Sequence, residues 1–259
     1  MSVAHELADA VKPAILPHFR SVDLSIDDKE PEGIFDPVTV ADRDAEAAMR
    51  KILGQRRPAD AILGEEFGSS TGTSGLTWVL DPIDGTRGFV AGTPTWGVLI
   101  ALATEDGPFL GMIEQPYIGE RFYGAGGKAW FQRGNDTRSI HVRPDRNLSE
   151  AVVFTTFPEV GTPAEGDAFH AVARHARLVR YGMDCYAYAL LAAGQIDLVI
   201  EAGLQPYDIQ APIAVIEAAG GIVTDWKGGP AHNGGRAVAA VGPSLHAEAL
   251  EVLSKVPDA

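Results

Sequence analysis

Only one cysteine, Cys185, occurs in the 259 residues. That excludes an intramolecular disulfide and a cysteine-based zinc cage. Positive charge is also scarce: 21 Lys and Arg face 35 Asp and Glu, a formal net charge of −14. Surfaces that bind nucleic-acid backbone or anionic lipid need clustered cations, so neither partner is expected. No apolar run approaches the ~18 residues needed to cross a bilayer. The opening MSVAHELADA has neither a basic start nor an apolar core, and shows no secretory signal. A cytoplasmic, reducing setting is the expectation. Internal repeats and low-complexity tracts are missing as well.

What is present is an ordinary folded profile, 46% apolar and 22% charged. The length suits one large domain or two small ones sharing a core. Helical periodicity runs over residues 3–20, interrupted by Pro13 and Pro17. A strand is expected at 22–26 and a polar loop at 27–37. Thr39 then precedes a run of good helix formers with acids in its first turn. Residues 60–63 and 77–80 read as strands, with a Ser/Thr/Gly loop at 69–75 between them and a turn-rich segment, DPIDGTRG, after the second. An antiparallel meander is expected at 96–103, 109–115, 121–125 and 129–132. From about residue 150 strands (151–155, 177–181, 196–200, 221–225, 237–241) alternate with helices (166–175, 184–193, 208–219, 244–254). That alternation argues for α/β layering. The polar stretch 143–149 suggests a boundary near 145, dividing 1–145 from 146–259.

Three segments place acids where strands or helices should end: Gly64-Glu65-Glu66, Asp81-Pro82-Ile83-Asp84-Gly85-Thr86, and Pro206-Tyr207-Asp208. In the middle one Pro82 fixes its own φ and Gly85 permits a tight turn, so both aspartates and a main-chain carbonyl can aim at one point. Hard divalent cations take such all-oxygen ligands. A bare D-x-x-D-G is also a common turn; GEE before it and WVL in front of it make the string specific. Cys185 and histidines such as His18, His170 and His175 lack any triad context and read as surface or packing groups. Asp42, in Thr39-Val40-Ala41-Asp42, by itself reads as an acid complementing a helix N-terminus.

These strings, together with Glu217-Ala218-Ala219-Gly220-Gly221, resemble the inositol monophosphatase family in identity and order over residues 36–225. The resemblance implies an α/β fold layered as an αβαβα sandwich and phosphomonoester hydrolysis by a metal-activated water. Carried over by position, it implies that Glu65, Asp81, the Ile83 carbonyl, Asp84 and Asp208 ligate two or three Mg²⁺ ions. Glu65, Thr86 and Asp42 become the catalytic set, the last two orienting the water, while Gly85 and Thr86 offer N–H groups to the phosphate. It also implies a homodimer.

Residues 84–102 and 181–208, with Arg87, D-C-Y-A-Y and E-A-x-L-x-P-Y-D, look like the histidinol-phosphate phosphatase branch of that family. L-Histidinol phosphate carries an ammonium and an imidazole, and Asp184 and Glu201 would favour that cation through charge-assisted hydrogen bonds. Arg87 and Asp208 complete the substrate-binding set. Asp184 has two readings, a helix N-cap alone or a cap that also touches substrate. The other candidate substrates are inositol or another polyol monophosphate, then a nucleotide 3′-phosphate or sugar bisphosphate. A non-catalytic metal-binding regulator would have lost a ligand, and none of the matching positions is lost. Lys29 and the loop after it are expected to close over the site.

Overall fold

A computed structural model describes residues 1–22, 26–28, 37–157, 159 and 161–257. The N-terminal part begins with α1 (Ser2–Ile15), a short pair β1 (Ile26–Asp28) and β2 (Pro37–Thr39), and α2 (Val40–Arg56). A sheet of eight strands follows: β3 (Ala61–Gly64), β4 (Gly68–Ser70), β5 (Thr77–Asp84), β6 (Gly97–Thr104), β7 (Gly107–Gln115), β8 (Glu120–Ala125), β9 (Lys128–Arg133) and β10 (Asp136–Ile140). The short α3 (Thr86–Ala91) interrupts it after β5. Its order is β10-β9-β8-β7-β6-β5-β3-β4, antiparallel except for the parallel pair β3–β5.

The rest alternates: β11 (Val152–Thr155), α4 (Pro163–Ala173), β12 (Leu178–Tyr181), α5 (Cys185–Ala192), β13 (Leu198–Leu204), α6 (Pro206–Ala218), β14 (Ile222–Thr224), β15 (Gly235–Ala240) and α7 (Pro243–Leu253). Its strands form a mixed sheet in the order β12-β11-β13-β15-β14.

Strand alternation decides which layer each face meets. In β5 and β6, Trp78, Leu80, Val98 and Ile100 join Leu7, Val11, Ala45 and Met49 of α1 and α2 in one buried cluster. The intervening Val79, Leu99 and Ala101 join α5, α6 and the second sheet in another, which also takes in α4 and α7. The layers therefore run helix, sheet, helix, sheet, helix, the expected αβαβα sandwich. Among the described residues no helix is long and apolar enough to cross a membrane.

Helix α6 lies unusually close to the large sheet, and glycine is the reason. Gly111 and Gly124 are direct cross-strand partners in β7 and β8. A Cβ on Gly111 would stand 2.3 Å from the Ala211 carbonyl oxygen, and one on Gly124 2.8 Å from the Ala218 methyl. A cross-strand pair without side chains thus forms the groove that seats the Ala211–Ala214–Ala218 stripe.

Several expectations need correction. Helix α1 ends at Ile15 rather than residue 20: Pro13 is tolerated inside and Leu16 keeps helical dihedrals (φ −59°, ψ −35°), but Pro17 has no N–H with which to continue the ladder. Of the strand expected at 22–26, Val22 lies in a turn and is almost fully exposed, Ile26 belongs to β1, and 23–25 lie outside the described residues. Lys29 and the loop after it lie outside the described residues. β10 has no counterpart among the expected strands because its exposed sequence Asp-Thr-Arg-Ser lacks apolar alternation; pairing with β9 alone makes it a strand.

The glycine groove is testable by substitution. Gly111→Ala should lower stability by about 1–3 kcal/mol through overpacking against backbone. Gly54→Ala, on the exposed side of α2 with nothing within 4 Å of the new methyl, should raise it by about 0.5–1 kcal/mol. Urea midpoints of the two variants check both signs; equal shifts would mean α6 has room to move.

Candidate active site

Asp81 and Asp84 are three residues apart, so in a regular strand they would face opposite sides of the sheet. They do not, because β5 continues past the expected end at Leu80 and bulges. Asp81 pairs with Leu99 and Asp84 with Gly97, so β5 spends one extra residue between them. The extra residue resets the alternation, and Pro82, which has no N–H to give a ladder, is tolerated in the irregularity. Asp81 Oδ1 accepts the Ile83 N–H at 3.0 Å inside the bulge.

Asp208 arrives from the first turn of α6. Carboxylate oxygens of Asp81, Asp84 and Asp208 all lie within 4.8 Å of one another. Glu65, just past β3, hydrogen-bonds Asp81 through its carboxyl group. Burial pushes the Asp81 carboxyl well above the usual range, and the charges of Glu65, Asp84 and Asp208 push it further. Asp84 is pushed up to about 7, first by burial and then by Asp184, against the pull of a 2.7 Å hydrogen bond from the Cys185 N–H. Four acids of one sign with only oxygen donors match what a hard divalent cation needs. The residues present therefore fit a site for such a cation.

Helix N-termini supply most of the framework. Thr39 caps α2, its Oγ accepting the Ala41 N–H at 3.1 Å, while Asp42 Oδ2 folds back to accept the Thr39 N–H (2.8 Å) and hydroxyl (2.6 Å). Asp208 repeats the device at α6, accepting the Gln205 N–H at 2.7 Å. Asp84 reaches 101 residues along the chain to the first amide of α5. Each carboxylate takes up orphan donors and sits at the positive end of a helix. Burial raises Asp42 to about 6, against the lowering by its Thr39 hydrogen bonds.

Gly85 adopts φ 81°, and a Cβ there would stand 2.8 Å from Asp184 Cγ. Glycine is thus required twice over, by conformation and by space. Thr86 opens α3 and donates its hydroxyl to the Ile83 carbonyl at 3.0 Å. Arg87, the next residue, places its guanidinium over the Phe157 ring, 5.4 Å from the centroid.

The capping reading of Asp184 is overturned. It stands at the N-cap position of α5, but its side chain makes no cap hydrogen bond: the Tyr186 and Ala187 N–H groups go to the Met183 and Asp184 carbonyls, and Asp84 takes the Cys185 N–H. Asp184 is instead one of the two non-glycine residues with positive φ among the described residues (46°), and its Oδ2 accepts from Thr95 Oγ1 at 3.3 Å. A strained backbone aims this carboxylate at α3. Glu201, 4% exposed, accepts the Thr156 N–H (2.7 Å) and the Thr155 hydroxyl (3.2 Å). It is not at the end of its strand as expected; β13 runs on through a bulge to Leu204. Burial pushes its carboxyl up to about 8, with the nearby charge of Asp184 adding to the shift.

Three contributors were missed. Glu46, fully buried on α2 one turn beyond Asp42, accepts the N–H groups of Glu66 (2.7 Å) and Phe67 (3.2 Å) and pairs with Arg50 at 2.7 Å. It also explains the glycine of GEE, since a Cβ on Gly64 would meet Glu46 Oε1 at 2.0 Å. The i,i+4 spacing from Asp42 was a visible signal. Tyr188, within D-C-Y-A-Y, buries a hydroxyl with no hydrogen-bond partner among the described residues; burial, then the charges of Glu201, Asp84 and Asp208, push its pKa up. Thr95 had no sequence signal.

Five alternating layers and an all-carboxylate cluster where β3 and β5 end define a metal-dependent phosphatase. The chain belongs to the inositol monophosphatase family, whose profile matches residues 1–257. It is 35% identical over 257 residues to the histidinol-phosphatase of Mycobacterium tuberculosis, covering 98% of this chain and 97% of that protein. It is 44% identical over 229 residues to the chloroplastic bifunctional phosphatase IMPL2 of Arabidopsis thaliana, covering 88% of this chain but only 64% of that protein's length. A solved inositol monophosphatase from Zymomonas mobilis superposes with a TM-score of 0.86 at 40% identity, over 98% of this chain and 96% of that one.

Cation binding has a stability signature separate from turnover. Mg²⁺ should raise Tm, because it binds the folded acid cluster and not the unfolded chain. Asp84→Asn should raise Tm in EDTA by relieving buried repulsion while keeping an acceptor for Cys185, and should shrink the Mg²⁺ increment. A calorimetric scan showing the same increment in both proteins would remove Asp84 from the cation site.

Proposed function

We propose that the protein is a Mg²⁺-dependent phosphomonoesterase hydrolysing L-histidinol phosphate to L-histidinol and phosphate. The observation that carries the substrate reading is the placement of two carboxylates beside the cluster, half-buried Asp184 packed against Gly85 and buried Glu201, whose pKa the charge of Asp184 helps to raise. A neutral polyol offers them only uncharged hydroxyl donors; an ammonium and an imidazolium add charge to the hydrogen bonds. Similarity to histidinol-phosphatases supports the same reading. Similarity to the Zymomonas mobilis inositol monophosphatase keeps inositol 1-phosphate as the alternative.

Glu65, Asp81, Asp84, Asp208 and the Ile83 carbonyl are the residues that would hold Mg²⁺. When bound, the cation neutralises the phosphate and lowers the pKa of water. Thr86 spends its hydroxyl proton on Ile83, so its lone pairs face outward as acceptors for a water O–H. Asp42, held by Thr39, orients that water as a second acceptor. The water oxygen forms the new P–O bond, the ester P–O bond breaks, and the alcohol leaves with a proton. Gly85 and Thr86 offer their amides to the phosphate at the start of α3, and Arg87 lines the same approach. Asp184 and Glu201 receive the leaving alcohol.

Phosphate release with Mg²⁺ from L-histidinol phosphate and myo-inositol 1-phosphate, measured side by side, tests this. Preference for the first is expected; preference for the second would keep the phosphatase and discard the substrate reading. Asp184→Ala should cut kcat/KM for histidinol phosphate by about ten- to a hundredfold, from one lost charge-assisted bond. A smaller loss on the inositol ester is expected, and equal losses would make Asp184 structural.

A further inference from the structure

The segment after β11 carries no motif, yet the fold brings it to the site. Thr156 gives its N–H to Glu201, and Phe157 follows immediately. The Phe157 ring shares the walls of a narrow crevice with Thr155 and Glu201. On another side the Arg87 guanidinium stands at cation–π distance from that ring. Arg87 belongs to the first turn of α3, which lies against Asp184: a Cβ on Gly88 would stand 3.3 Å from Asp184 Oδ2, and one on Gly85 2.8 Å from its Cγ. The charge of Arg87 accordingly favours the ionised form of Asp184.

A planar, delocalised cation therefore stands over an aromatic face, and its helix turn lies against a carboxylate that feels its charge. A protonated imidazole, like a guanidinium, is a planar, delocalised monocation that can stack on an aromatic ring. We propose that Phe157 is a specificity-determining residue, its ring and the Asp184 carboxylate together forming a wall for a flat cationic group of the leaving alcohol, a wall that Arg87 covers in the free protein. The proposal rests on the reading above that the alcohol is a cation. Entry of such an alcohol exchanges one flat cation for another, so the carboxylate is never left bare in a desolvated site. A polyol has neither charge nor a flat aromatic ring to offer and leaves Arg87 in place.

Inhibition of p-nitrophenyl phosphate turnover by L-histidinol and by myo-inositol, at fixed Mg²⁺, reads the wall without depending on which ester is the substrate. Phe157→Leu should weaken L-histidinol inhibition about three- to thirtyfold relative to myo-inositol, while Phe157→Tyr keeps the ratio within about twofold of wild type. Arg87→Met should tighten L-histidinol, since the resident cation is gone. Equal weakening of both inhibitors in Phe157→Leu, no weakening, or weaker L-histidinol inhibition in Arg87→Met would overturn the proposal. A wild-type enzyme that prefers the inositol ester, yet loses L-histidinol inhibition in Phe157→Leu, would keep the wall and sink the substrate reading. Preference for histidinol phosphate unaltered in Phe157→Leu would do the reverse.

Discussion

Asp81, Asp84 and Asp208 bring carboxylate oxygens within 4.8 Å of one another, with Glu65 bonded to Asp81, where burial itself penalises charge. Two full charges at that separation repel by about 3–4 kcal/mol even at an effective dielectric constant near 20. The surrounding structure is arranged to hold this repulsion in place. The bulge in β5 turns two aspartates to one side, and Asp84 and Asp208 each rest on backbone donors at a helix start. A divalent cation converts the same repulsion into affinity, because every oxygen that repels its neighbour attracts the ion.

Helix α6 ties this cluster to the core. Its N-terminal turn delivers Asp208, and its body is seated in the glycine groove of β7 and β8. The depth of that groove therefore helps set where Asp208 stands, and packing well away from the chemistry bears on the geometry of the site. The neighbouring α5 is placed in part through Asp84, which holds the first amide of that helix, while the Asp184 side chain faces α3 instead of capping.

Much of the fold was legible because alternation and punctuation survive in one dimension. The meander of β6 to β9 and the later alternation of strand and helix matched the structure to within a few residues. β10 did not, since an exposed edge strand carries no hydrophobic period. α3 was hidden in a string that reads as a turn, and β5 ran four residues beyond its expected end, because a bulge containing proline looks like termination. In the site, residues in recognisable strings were found, whereas Thr95 and Phe157 were not, because their relevance is a distance to residues far along the chain.

The chain by itself determined the chemistry available: acids in three strings, glycines where backbone must pass close, and too little positive charge or cysteine for a nucleic-acid surface, a disulfide or a cysteine-based zinc cage. Only the tertiary structure decided which carboxylates share a space, that Asp84 rather than Asp184 caps α5, and that Glu46 anchors the loop carrying Glu65. The physical reason is that residue type is local while mutual distance is not. Repulsion, capping competition and cation–π contact depend on separations that neither periodicity nor motif spacing encodes.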